Sequence, residues 1–159
     1  MPVPPWPGDR SSASPAPGEP NPTSPVFTLA AATRLLPYLR TTLAAAQTHV
    51  SEMRALVRAM RRMEAVGRTP AGTLILAADH AAVQRHIAEH RAECELLLQQ
   101  IAVHGCQVKD LAAGLCDFPA VIQGRPALLC WRMDEQSIAY YHGESDGYTG
   151  RKPIPPGTP

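Results

Sequence analysis

The chain has 159 residues and a formal net charge of +1. That is one domain's worth, without the charge excess that holds nucleic acid or an anionic membrane. No stretch approaches the ~18 uninterrupted apolar residues of a bilayer span.

The first 25 residues contain nine Pro among Ser, Gly and Ala. Such a segment buries too little apolar surface to offset its ordering entropy, so residues 1–25 are expected to form a disordered Pro-rich tail. Its opening MPVPP contains a PxxP unit that could dock an aromatic groove, although a solvated linker is the commoner use. It lacks the basic and apolar blocks of a secretion signal, and a cytoplasmic chain is expected. The four cysteines, Cys94, Cys106, Cys116 and Cys130, make no Cys-x-x-Cys pair and are expected to be reduced and buried.

A helix is expected from Thr28, whose hydroxyl can cap it, although Ala31 stands where Glu would close a capping box. Pro37 should kink or split this helix. Beyond it Leu39, Leu43, Ala46, Val50, Met53, Val57 and Met60 recur in steps of three and four, a heptad seam. Residues 67–72 break the pattern. A second helix should run from Thr73 to His104, ended by Gly105, with His80, Val83, Ile87, His90, Cys94, Leu97 and Ile101 in the same rhythm. The stripes mirror each other about position 70: Val50 falls opposite His90, Met53 opposite Ile87 and Met60 opposite His80. Residues 26–104 therefore predict a long antiparallel, coiled-coil-like helical hairpin. Its seam leaves Leu56, Met63, Leu96 and Leu98 wanting cover, so a homodimer or a protein partner is expected.

Within the second helix, HIAEH matches the H-x-x-E-H zinc-protease pattern and makes His86 and His90 formal metal candidates. The seam turns His90 inward, no third ligand is specified, and a helix surface with a satisfied seam histidine is the simpler reading. Seam histidines without partners would make the hairpin pH-sensitive. Arg54, Arg58, Arg61 and Arg62 form a basic patch, but no aromatic residues interleave with them, so a solvated flank outweighs nucleic-acid binding.

Residues 105–154 carry strand-type alternation. Arg125 to Met133 and Ser137 to His142 are the clearest strands, turning at Asp134, Glu135 and Gln136. Leu129, Trp131 and Met133 share one face of the first, and Ile138, Tyr140 and His142 share one face of the second. A hairpin with one apolar side packed on the helices is expected. The remaining polar residues form a candidate functional surface: Lys109, Asp110, Asp117, Arg132, His142, Glu144, Asp146 and Arg151. His142, Glu144 and Asp146 could hold a metal or share a proton, whereas Asp117 and Arg132 could simply pair across the sheet. His104, Cys106, Cys116 and Cys130 could supply zinc ligands, but their spacing has no knuckle.

The pieces FTLxxAxxLLPYLR, GCQVKDLxxGLCDFPA, ALLCWR, IAYYH and GYTGRKPI resemble a family of small uncharacterised bacterial proteins classed as a domain of unknown function. The resemblance covers about residues 26 to 154. Acidic residues usually follow the opening FTL in that family, where Ala30 and Ala31 stand here. It implies the module boundaries and a bacterial cytosolic origin, and no activity.

The expected fold is α+β: a long antiparallel helical hairpin, then a small antiparallel sheet of three or four strands, then a disordered tail at 155–159. The expected function is a non-enzymatic interaction or assembly protein without a cofactor. The alternative is a small metal-dependent or acid–base enzyme centred on His142, Glu144 and Asp146.

Overall fold

A computed structural model describes residues 26–67, 71 and 77–159. The Pro-rich tail, the Thr73 cap and most of the inter-helix loop lie outside the described residues. The fold is α+β: two helices followed by a five-stranded antiparallel sheet in the order β1-β2-β3-β4-β5. The helices are α1, Leu29–Val66, and α2, Ala77–Val103. The strands are β1, Gln107–Asp110; β2, Leu115–Ile122; β3, Arg125–Arg132; β4, Tyr140–His142; and β5, Lys152–Pro153. The fifth strand exceeds the expected three or four because GRKPI contributes two residues that pair with β4. So short a run carries no readable alternation.

Two compact units divide the chain: Tyr38–Ile101, and residues 26–37 with Ala102–Pro159. In the first, Leu39, Leu43, Ala46, Met53, Cys94 and Ile101 are buried. His49 Nδ1 meets His90 Nδ1 at 3.0 Å, and Glu64 meets His80 at 3.6 Å. The first contact lies one residue and the second four residues from the positions the mirror relation assigns, so the helices run antiparallel with a register that matches to within about one helical turn.

In the second unit, the Thr28 hydroxyl accepts the Ala31 N–H at 3.1 Å, the expected cap. Pro37 neither splits nor ends α1, which continues through it to Val66. Phe27 N–H donates to the Pro119 carbonyl at 2.7 Å, and its ring meets Phe118 edge-on at 5.4 Å. The closing residues, expected to be disordered, are seated instead. The Pro159 carbonyl accepts the Leu29 N–H at 2.6 Å, and Thr158 turns back on Pro155 at 2.8 Å. They help line an apolar cavity of about 170 Å³ with Phe27, Ile122 and Leu129. The reason is backbone accounting: a helix start leaves N–H groups open, and a nearby carbonyl satisfies one.

Strands β2 and β3 pair over eight residues, from Leu115↔Arg132 to Ile122↔Arg125. Gln123 and Gly124, both at positive φ, make the tight turn between them. One face of the pair carries Phe118, Ala120, Ala127, Leu129 and Trp131, all buried. Gly114 closes the β1–β2 turn at φ +63, where a Cβ would lie 2.6 Å from Met133 Cβ. Gly114→Ala therefore combines a strained backbone with a clash against an atom fixed directly to the backbone rather than a flexible tip. A loss of about 2 kcal/mol is expected in urea denaturation, and an unchanged midpoint would contradict this packing.

Candidate functional site

The register decides which polar residues meet. Leu129 pairs with Tyr141 and Leu128 with His142, so residues of equal parity face the same side. Tyr140 and His142 consequently lie on the face opposite Leu129 and Trp131. This corrects the expectation of a single apolar side shared by Trp131 and His142. The face behind the apolar core is polar and also covered, which is why Ala127 to Trp131 is buried without interruption.

Three strands each contribute one residue to that polar face. Asp117 of β2 lies directly opposite Cys130 of β3. His142 of β4 lies one pleat further along, opposite Leu128. The His142 Nε2 to Asp117 Oδ2 distance is 3.3 Å, and each side chain is only 3% exposed. The thiol of Cys130 is hydrogen-bonded to Asp117, and burial followed by the Asp117 charge pushes it up to about 12. Ligand atoms of all three lie within 4.8 Å of one another. The other ring nitrogen of His142, Nδ1, lies 2.7 Å from the Gly143 carbonyl. A carbonyl only accepts, so this nitrogen carries the proton. Asp117 Oδ1 is buried without a hydrogen-bond partner.

Beside this cluster lies an arginine–tyrosine stack. The Arg151 guanidinium sits 4.4 Å from the Tyr140 ring centre and 4.7 Å from that of Tyr148. It donates to both Glu135 oxygens at 2.8 Å and to the Cys130 carbonyl at 3.2 Å. Glu135 also accepts the Arg132 backbone N–H at 2.9 Å, and its own carbonyl accepts the Trp131 indole N–H at 3.0 Å. Arg132 does not reach Asp117 as expected. It forks onto Asp134 at 2.6 and 2.7 Å and donates to the Tyr148 hydroxyl at 3.0 Å. Those hydrogen bonds to Arg132 hold the Asp134 carboxyl below the usual carboxylate range.

The other nominated residues are dispersed. Lys109 sits exposed at an irregularity in the β1–β2 pairing. Asp110 accepts the Ala113 N–H at 3.0 Å, a turn contact. Glu144 is exposed. Asp146 accepts the Gly143 N–H at 3.2 Å and lies 4.0 Å from Lys152. His142 thus gathers with Asp117 and Cys130, not with Glu144 and Asp146. Residues missed from sequence are Cys130 in this company, Glu135, Tyr140 and Tyr148. His86 is exposed, whereas the Nδ1 of His90 lies 3.0 Å from that of His49. All four cysteines are buried and free. Cys106 is hydrogen-bonded to Cys116, which with burial pushes its thiol up.

No helix among the described residues is long and apolar enough to cross a membrane. No curated protein and no solved structure matches the chain. A family model described as an uncharacterized conserved protein (DUF2203) matches residues 25–154, a span that takes in both helices and all five strands. On that match the chain belongs to the DUF2203 family of uncharacterized conserved proteins.

Proposed function

We propose that this is a non-enzymatic, cytoplasmic bacterial assembly protein that pairs with a second copy of itself through the helical hairpin. The observation that carries the reading is the incomplete cover of the seam. Val50, Val57, Met60, Val83, Ile87 and Leu97 all occupy seam positions yet remain half-buried. Leu96 is 51% exposed. Two helices of 38 and 27 residues expose apolar stripes that two more helices would cover, and a four-helix bundle is the ordinary solution. Lys109 and Asp110 of β1 and Glu144 and Asp146 of the turns after β4 are all exposed rather than gathered with the buried polar residues of the sheet, which supports the same reading.

Light scattering on the purified chain tests this. A dimer is expected, and Val57→Asp should convert it to a monomer that keeps its helical circular dichroism. A wild-type monomer at high micromolar concentration would overturn the reading.

A further inference from the structure

We propose that Asp117, Cys130 and His142 form a structural site for a divalent transition-metal ion of the zinc class, inside the sheet and independent of the hairpin. Four features of the cluster converge on this. First, the donor set is right. One thiolate, one imidazole nitrogen and one carboxylate oxygen make a mixed soft and borderline set that suits zinc or cobalt, with a water as the fourth donor of the tetrahedron. Magnesium and calcium prefer oxygen alone. Carboxylate and thiolate together also neutralise a doubly charged ion, so the loaded site places no net charge in the interior.

Second, the histidine is oriented as a ligand. Its Nδ1–H is committed to the Gly143 carbonyl at 2.7 Å, which leaves Nε2 facing the carboxylate at 3.3 Å. A ring nitrogen held this way by a backbone carbonyl is the usual arrangement behind a metal-bound imidazole. Third, the spacing of the imidazole and carboxylate atoms fits. Ligands bonded to a tetrahedral zinc at about 2.0–2.1 Å lie about 3.3 Å apart along the tetrahedron's edge. A direct charge-assisted contact would be drawn in to about 2.7–2.9 Å.

Fourth, the Asp117 carboxylate is incompletely satisfied. Oδ1 is buried with no hydrogen-bond partner, a costly condition in a side chain 3% exposed. Protonating the imidazole gives that oxygen nothing. A cation bound by the carboxylate satisfies it. This is the one group of three or more potential ligands found among the described residues. Its burial and its placement on three adjacent strands suit a cross-link that holds β2, β3 and β4 in register. They do not suit a centre that must admit substrate.

The test loads the full chain with cobalt chloride or zinc chloride after chelator treatment. One equivalent is expected, with a sulfur-to-cobalt charge-transfer band in the near ultraviolet and the intense visible bands of a tetrahedral ion. Zinc should raise the melting temperature, and magnesium at the same concentration should not. Cys130→Ser should abolish the charge-transfer band and His142→Gln should weaken binding at least tenfold. His86→Gln, which alters the HIAEH motif, should leave both unchanged. If the site variants fail to fold, Cys106→Ser and Cys116→Ser decide: the charge-transfer band should survive both, and its loss in either would overturn the proposal. No bound metal, or bound cobalt without sulfur ligation, would overturn the proposal whatever the oligomeric state.

Discussion

Trp131→Ala is expected to destabilise the sheet unit by about 3–5 kcal/mol, the cost of truncating a large aromatic in a packed core. Trp131 lies in β3, the central strand of the five, and is fully buried. Removing the indole leaves a cavity on the apolar face of strands that pair across eight positions and hold their register. It also deletes the N–H that reaches the Glu135 carbonyl at 3.0 Å, worth about 1 kcal/mol where the group stays buried. Small domains are stable by only about 5–15 kcal/mol. The urea midpoint should fall by about a fifth or more, or the sheet unit should be unfolded in buffer. A shift of less than about 1 kcal/mol would mean that the indole is not a core group.

Arg151→Ala should cost about 2–3 kcal/mol, and Arg151→Lys nearly as much. Arg151 and Glu135 side chains are only 10% and 20% exposed, so this is not a screened surface pair. One guanidinium nitrogen serves both Glu135 oxygens and the Cys130 carbonyl, and its plane stacks on two tyrosines. A lysine ammonium carries the charge without the flat face that lies over the two tyrosine rings. Thermal melts of the two variants distinguish the cases. Full rescue by lysine would reduce Arg151 to a point charge, against the stacked geometry.

The hairpin is legible in the sequence because helical periodicity is written in single side chains. The mirror relation of the two stripes places His90 opposite Val50, and the histidine it meets, His49, is the neighbouring residue. The Thr28 cap is equally readable. The strands are legible as segments, but their faces are not. Ala127 to Trp131 is buried on both sides, so alternation, the signal that marks an inward face, is erased. One clue does exist. A three-residue turn at Asp134 to Gln136 sets 129 opposite 141 and 128 opposite 142, the observed register. Counting across it puts His142 on the face of Cys130 and Asp117. Proximity along the chain groups His142 instead with Glu144 and Asp146, which the Gly143–Gly150 turns carry to the surface. Glu135 reads as a turn residue because its partners Arg151 and Trp131 are fixed only by tertiary folding.

The most direct measurement is the side-chain neighbourhood of His142 by isotope-edited nuclear Overhauser spectroscopy. Cross-peaks are expected from the His142 ring protons to the Cys130 and Asp117 β-protons. Cross-peaks to the Trp131 indole or the Phe118 ring instead would place His142 on the apolar face. That result would dissolve the buried cluster on which the site rests.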